Sequence, residues 1–234
     1  MEYVVPAPPS ATLPVLGSAL RFPVHRIYCV GRNYEDHARE MGDSGREPPF
    51  FFLKPADSAL AAGADGSVDM PYPSLTSDLQ HEVELVVAIG RGGRDIAVAQ
   101  ALQHVYGYAV GLDMTRRDLQ AQMKKNSRPW CIGKAFEHAA PTGSITAATA
   151  LAAPDALDAA AITLEVNGTM RQQSTTAHMI WSVAETIAQL SCAWTLQAGD
   201  LIFTGTPAGV AAVQRGDTMH ARIAGLADLR VRVL

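Results

Sequence analysis

The sequence predicts a mixed α/β, β-rich domain built on a β-roll or barrel-like sheet with short flanking helices, and three observations carry that reading. Apolar runs of strand length recur along the chain and stop at Gly or Pro. Stretches with helical character are few. The C-terminus alternates, with Leu229, Val231 and Val233 facing one way and Arg230 and Arg232 the other, as in a half-buried strand.

In chain order, residues 1–24 hold Pro6, Pro8, Pro9, Pro14 and Pro23 and read as an extended segment along an edge, leaving 25–234 as one domain. Ile27 to Val30 is a short strand stopped by Gly31. Asn33 to Met41 has an N-cap candidate, polar helix formers and a closing Gly42, so a helix is expected there. Phe50 to Leu53 is a strand ended by Pro55. Residues 56–80, rich in Gly, Asp, Ser and Pro, read as loop or a short hairpin. Glu82 to Ile89 is a strong strand, 96–104 are helical, and Tyr106 to Leu112 is a strand ending at Asp113. Thr115 to Asp118 has the form of a capping box, opening a helix through Lys125. Residues 139–160 are Ala-rich and give no clear pattern. Ile162 to Val166 with Asn167-Gly168 reads as a hairpin. Ile180 to Leu190 is helical. Leu201 to Phe203 is a strand running into Gly205, and Thr218 to Ile223 forms a closing hairpin with the terminal strand around Gly225.

The bulk numbers exclude several functions. The chain has 234 residues, 48% hydrophobic and 18% charged, enough for a sizeable core. The net charge is −4 and no basic stripe exists, so nucleic acid is not an expected partner. Three cysteines without CxxC spacing argue against a disulfide framework or structural zinc, and Cys29 is expected in the core. No apolar run approaches the roughly 20 residues of a membrane span, and no secretory signal opens the chain. A cytoplasmic protein is expected.

Five groups of residues suggest chemistry. On a strand, Glu82 and Glu84 point to one face while Val83, Leu85, Val87 and Ile89 point to the other. Adjacent carboxylates repel unless a cation lies between them, and oxygen ligands suit Mg²⁺ or Mn²⁺; a solvated strand end is the plain alternative. Asp113 shares a face with Gly107, Ala109 and Gly111, which admits close approach; it serves as a third ligand or as a helix cap. His37 and Glu40, at i and i+3, form either a water-activating pair or a surface ion pair. Arg117, Gln120 and Lys134 follow Asp113 and can hold a carboxylate and a carbonyl, or face solvent. Finally, Thr204 to Gly209 is a tight turn offering N–H groups and the Thr206 hydroxyl to an anion. Signatures of a P-loop, a nucleophile elbow, a zincin or a dinucleotide fold are missing.

Six motifs then carry a resemblance: VGRNYEDHAREMG at 30–42, FFLKP at 51–55, HEVELVVAIG at 81–90, GLDMTRRDLQ at 111–120, RPWCIGKAF at 128–136 and GDLIFTGTPAGV at 199–210. In this order and spacing they resemble the fumarylacetoacetate hydrolase family over roughly 25–234, and the N-terminal segment, the RFPVHR run and the PSLTSDLQHEVELVVAIG stretch are most similar to its fumarylpyruvate hydrolases of aromatic-acid catabolism. The resemblance implies a mixed β-roll, usually a homodimer, with Mg²⁺ (or Mn²⁺) on Glu82, Glu84 and Asp113. It implies a His37–Glu40 dyad activating water, and Arg117, Gln120, Lys134 and Thr206 contacting a small diketo acid. Arg32, beside the dyad, is with Arg117 a candidate for a second substrate carboxylate. Two departures stand out: the extra Asp ligand of larger members has no obvious counterpart, and His178 sits where an acidic or small residue is expected.

The implied reaction is hydrolysis of the C–C bond of an acylpyruvate, 3-fumarylpyruvate giving fumarate and pyruvate. The alternatives are an oxaloacetate decarboxylase or a dienedioate isomerase or decarboxylase of the same family, and a non-catalytic dicarboxylate-binding protein.

Overall fold

The computed structural model describes residues 3–34, 46–153 and 155–234. Two sheets form the body. The larger has eight strands: β3 (Ile27–Gly31), β4 (Phe50–Lys54), β5 (Ala59–Ala61), β8 (Val83–Ile89), β9 (Val105–Leu112), β11 (Ala140–Thr142), β12 (Thr146–Ala147) and β15 (Leu201–Phe203). Its spatial order is β4-β3-β15-β8-β9-β11-β5, with β12 also on β9. The second sheet runs β14-β13-β17-β18-β6, where β6 is Ser67–Met70, β13 Ala161–Val166, β14 Thr169–Thr175, β17 Thr218–Ile223 and β18 Leu229–Val233.

The core follows from strand alternation. Val83, Leu85, Val87 and Ile89 all enter the main cluster, against Ile162, Leu164, Leu229, Val231 and Val233 from the second sheet. The opposite face of β8, Val86 and Ala88, packs with Phe203, Cys29 and the N-terminal residues Leu13 and Phe22 in a smaller cluster. The Pro-rich entry forms a two-stranded hairpin, β1 (Thr12–Pro14) with β2 (Arg21–Pro23), and covers this smaller core. Cys29 is buried as expected, whereas Cys131 and Cys192 are exposed.

Local chemistry explains most elements. Asn167 and Gly168 both have positive φ (52° and 76°), which a two-residue hairpin turn of this twist requires. The α-helices among the described residues are short: α1 (Val98–Ala101), α2 (Arg117–Lys125), α3 (Cys131–Lys134) and α4 (Val183–Ala193). Helix α4 starts at a true capping box, with Ser182 and Glu185 exchanging side-chain and backbone bonds.

Two expectations need correction, and two points the sequence left open are assigned. The region 56–80 is not a hairpin: β5 pairs in parallel with β11 and β6 in parallel with β18, so adjacent segments join different sheets. The Ala-rich stretch supplies β11 and β12 along β9. Thr115 caps no helix; it lies in the short β10 (Thr115–Arg116), donating its hydroxyl to the Asp113 carbonyl, and α2 begins from Arg116 without a side-chain cap. The cleared face of β9 does admit a close approach, and protein makes it: a Cβ on Gly111 would lie 2.8 Å from the Phe203 ring, and one on Gly107 would strike the Thr146 carbonyl. The expected helix over 33–41, with His37 and Glu40, falls largely outside the described residues.

Candidate active site

Strand β8 sits between β15 and β9, and the site lies where that trio opens. Glu82 precedes β8 and accepts the Asp113 backbone N–H on its carbonyl at 2.8 Å, which sets the two residues side by side across the ladder. Glu84 lies opposite Gly111, one turn of the pleat further in. The three carboxylates are buried, 5%, 2% and 1% exposed, which removes the solvated-strand reading. One carboxylate oxygen from each lies within 4.8 Å of the others. Buried ionised carboxylates at this spacing demand cations.

The described residues supply three cations. Lys134 Nζ spans Glu82 Oε2 (2.7 Å) and Asp113 Oδ2 (2.8 Å). Lys54 Nζ pairs with Asp113 Oδ1 at 2.8 Å. The Arg117 guanidinium pairs with Glu82 and also donates to Gln80 Oε1 (2.8 Å) and Gln120 Oε1 (2.6 Å). Since Gln120 must accept there with its oxygen, its NH₂ is left to donate elsewhere.

The electrostatics split the carboxylates. Burial alone would push Glu82 up, but Lys134 and Arg117 outweigh it and hold its carboxyl well below the usual range. Among the described residues no cation is hydrogen-bonded to Glu84, and Lys134 lowers it only through its charge. Burial first, then the neighbouring Asp113 and Glu82, pushes it well up, against one 2.7 Å bond from the Gly205 N–H. Burial would lower Lys134, but Asp113 and Glu82 reverse that and keep it charged.

A cavity opens directly onto these groups. It is lined by Arg32, Arg117, Gln120, Lys134 and Thr206 together with the triad. Its other wall is aromatic: Phe50 and Phe52 each meet the Trp130 ring, at 5.4 and 5.8 Å between centroids. Every expected site residue among the described ones therefore converges on one space. His37 and Glu40 lie outside the described residues. His178 is not part of this space; its ring meets Ser174 Oγ at 3.2 Å.

The structure adds residues the sequence did not single out. Lys54, within the FFLKP motif, is fully buried beside Asp113. Asn33, also buried, donates to Trp181 O (2.9 Å) and Thr204 O (2.7 Å) and accepts the Trp181 N–H, joining the segment before residue 35 to the turn after β15. An apolar context around a lone Lys was the available signal for Lys54; Asn33 read only as a helix cap.

The donor set fits a divalent cation: three buried carboxylate oxygens, hard and anionic, without Cys or His, suit Mg²⁺ or Mn²⁺. Fold and site together define a β-rich mixed α/β protein with a buried acidic triad that could hold a divalent metal ion. Residues 26–234 match the family described as Fumarylacetoacetate (FAA) hydrolase C-terminal, and the chain belongs to that family. It is similar to fumarylpyruvate hydrolase from Pseudomonas aeruginosa, solved with Mn²⁺ and pyruvate, at 51% identity and TM-score 0.96, covering 100% of this chain and 99% of that one. It is also 40% identical over 208 residues to the mitochondrial oxaloacetate tautomerase FAHD1 of Arabidopsis thaliana, covering 89% of this chain and 90% of that protein. A mitochondrial oxaloacetate decarboxylase of Dictyostelium discoideum is 40% identical over 201 residues, covering 86% and 89%.

Proposed function

We propose that the protein hydrolyses the C–C bond of an acylpyruvate, 3-fumarylpyruvate above others, giving fumarate and pyruvate. The observation that carries this reading is the buried triad Glu82, Glu84 and Asp113 opening onto a cavity with a cationic side and an aromatic side. The 51% identity to a fumarylpyruvate hydrolase over the whole chain supports the choice of substrate.

Glu82, Glu84 and Asp113 would hold the cation. When bound, it supplies positive charge to the keto-acid end, where the leaving enolate develops. Lys134 Nζ has a third N–H beyond its two carboxylate bonds, and the Gln120 NH₂ is uncommitted to Arg117; together they donate to the oxyanion formed on hydration of the distal carbonyl. His37, with Glu40 behind it, takes the proton of the attacking water. Collapse of the hydrated carbonyl breaks the C–C bond; fumarate and the pyruvate enolate separate, and the enolate is protonated. Arg117, tied to Glu82, Gln80 and Gln120, and Arg32, held over the Phe50 ring at 5.7 Å, both line the cavity and are the two candidates to read the distal carboxylate. Thr206 borders the pocket floor. The protein would act as a cytoplasmic homodimer in aromatic-acid catabolism.

The second reading is oxaloacetate chemistry, tautomerisation or decarboxylation, favoured by the 40% identical relatives. Proton NMR of product mixtures with Mg²⁺ present separates them. Fumarate plus pyruvate from fumarylpyruvate supports the hydrolase. CO₂ released from oxaloacetate faster than any diketo acid is cleaved overturns it. Glu84→Ala is expected to stay folded, lose the cation and lose activity, as does the wild type in EDTA.

A further inference from the structure

Strand β14 is exposed or half-exposed along its length except at Gln172, which is fully buried. A register shift between Leu164 and Glu165 leaves Arg171 without a partner across the ladder, a bulge beside Gln172. Bulges re-aim side chains, and this one directs a neutral amide from the second sheet to the edge of the first.

All four hydrogen-bonding positions of that amide are used. Its oxygen accepts from His81 Nδ1 (2.9 Å) and from the Val83 N–H (3.1 Å); its nitrogen donates to Thr206 Oγ1 (2.8 Å) and Pro207 O (2.8 Å). Thr206 Oγ1 in turn donates to the Val83 carbonyl at 2.8 Å. Gln172, Thr206 and Val83 thus close a ring with every donor and acceptor assigned.

The ring forms where the sheet runs out. Alternate residues of β8 turn their backbone groups to opposite neighbours. Glu82 faces β9 through the Asp113 N–H, and Leu85 faces β15 through the Thr204 N–H (3.1 Å). Val83 faces the β15 side as well, but β15 ends at Phe203, paired with Val86. Two side chains therefore hold both backbone groups of the one residue lying between Glu82 and Glu84.

We infer that Gln172 is a positioning residue of the metal site: through its ring with Thr206 and Val83 it fixes the backbone between Glu82 and Glu84 and sets the affinity for a divalent cation. The inference rests on the reading of Glu82, Glu84 and Asp113 as the ligands. Partners behind metal ligands are typically worth about 10–100-fold in affinity.

The test is Mn²⁺ binding without substrate, followed by the electron paramagnetic resonance signal of free Mn²⁺, together with Tm. Gln172→Met keeps the size and removes the amide; Thr206→Val removes the hydroxyl and Thr206→Ser restores it. Gln172→Met and Thr206→Val are each expected to weaken Mn²⁺ by roughly 10–100-fold, the double variant no more than the worse single one, and Thr206→Ser to bind as the wild type does. Wild-type Mn²⁺ affinity in Gln172→Met with only a lower Tm overturns the inference. So does additivity in the double variant. Should Gln172→Met fail to fold, equal weakening by Thr206→Ser and Thr206→Val overturns it. A wild type that binds no Mn²⁺ sinks the ligand reading itself, which is a separate outcome.

Discussion

Replacing Lys54 with Met tests whether the buried lysines act as counter-ions to the triad. The residue is 1% exposed, its Nζ 2.8 Å from Asp113 Oδ1, and it also donates to the carbonyls of Met114 (3.3 Å) and Lys134. Met fills nearly the same volume, so the loss is the charge and its donors. Deleting one partner of a buried ion pair costs about 3–5 kcal/mol. Asp113 keeps Lys134 at 2.8 Å, which places the loss near the lower end, about 3 kcal/mol. For a chain of this size 1 kcal/mol moves Tm by about 2–4 °C, so a fall of roughly 6–12 °C is expected in EDTA. A cation on the same carboxylates returns the missing positive charge. Mn²⁺ should therefore raise Tm more in Lys54→Met than in the wild type, where a hundredfold excess over Kd adds about 2.7 kcal/mol. Scanning calorimetry in EDTA and in Mn²⁺ measures both. A fall of the same size in both conditions, or one under about 2 °C in EDTA, would refute the counter-ion role.

Arg32→Met should raise KM steeply for fumarylpyruvate and barely alter it for acetylpyruvate, which lacks the second carboxylate; equal effects on both would dismiss Arg32 as its reader. Metal binding should release protons at pH values above about 4.5, because burial and its acidic neighbours raise Glu84 above that ordinary value. The sign follows: below 4.5 Glu84 is protonated folded and unfolded alike, whereas above it the metal-free fold holds a proton that the unfolded chain has lost. Its contribution to metal-free stability thus declines as pH rises, while Mn²⁺ affinity increases. Calorimetric titrations in two buffers of different ionisation enthalpy would show identical heats if no proton leaves. Ser182→Ala removes the cap of α4 and should cost about 1 kcal/mol, a Tm shift of roughly 2–4 °C, with kcat unchanged.

What was readable in the sequence was local. Alternation at 82–89 and 229–233 placed core and carboxylate faces correctly because one side of each strand is buried and the other is not. Asn167-Gly168 specified its own turn. Most of the misses involve partners distant in sequence. Nothing near residue 59 announces a strand, since three residues gain their identity from pairing with 140–142. Thr115 fits a capping motif, but its hydroxyl is drawn to the Asp113 carbonyl in the folded site. Gln172 looks like any polar residue of an exposed strand until the bulge turns it inward. The triad was visible in pattern, whereas the identity of its counter-ions depended on which lysines the fold buries.

The parallel pairing of β3 with β15 joins segments near opposite ends of the chain, and β8 lies against β15. During synthesis, residues 27–89 leave the ribosome long before 201–207 exist. Until then β8 lacks the neighbour that shields Glu84 and donates the Gly205 N–H, and the carboxylates remain in water, where a divalent ion gains little from them. An ion held by this triad would thus be captured late and would not template the early stages of folding. Such long-range closure also slows folding, and a nascent chain stalled before residue 200 would expose the apolar edge of β8 with its neighbour still unmade.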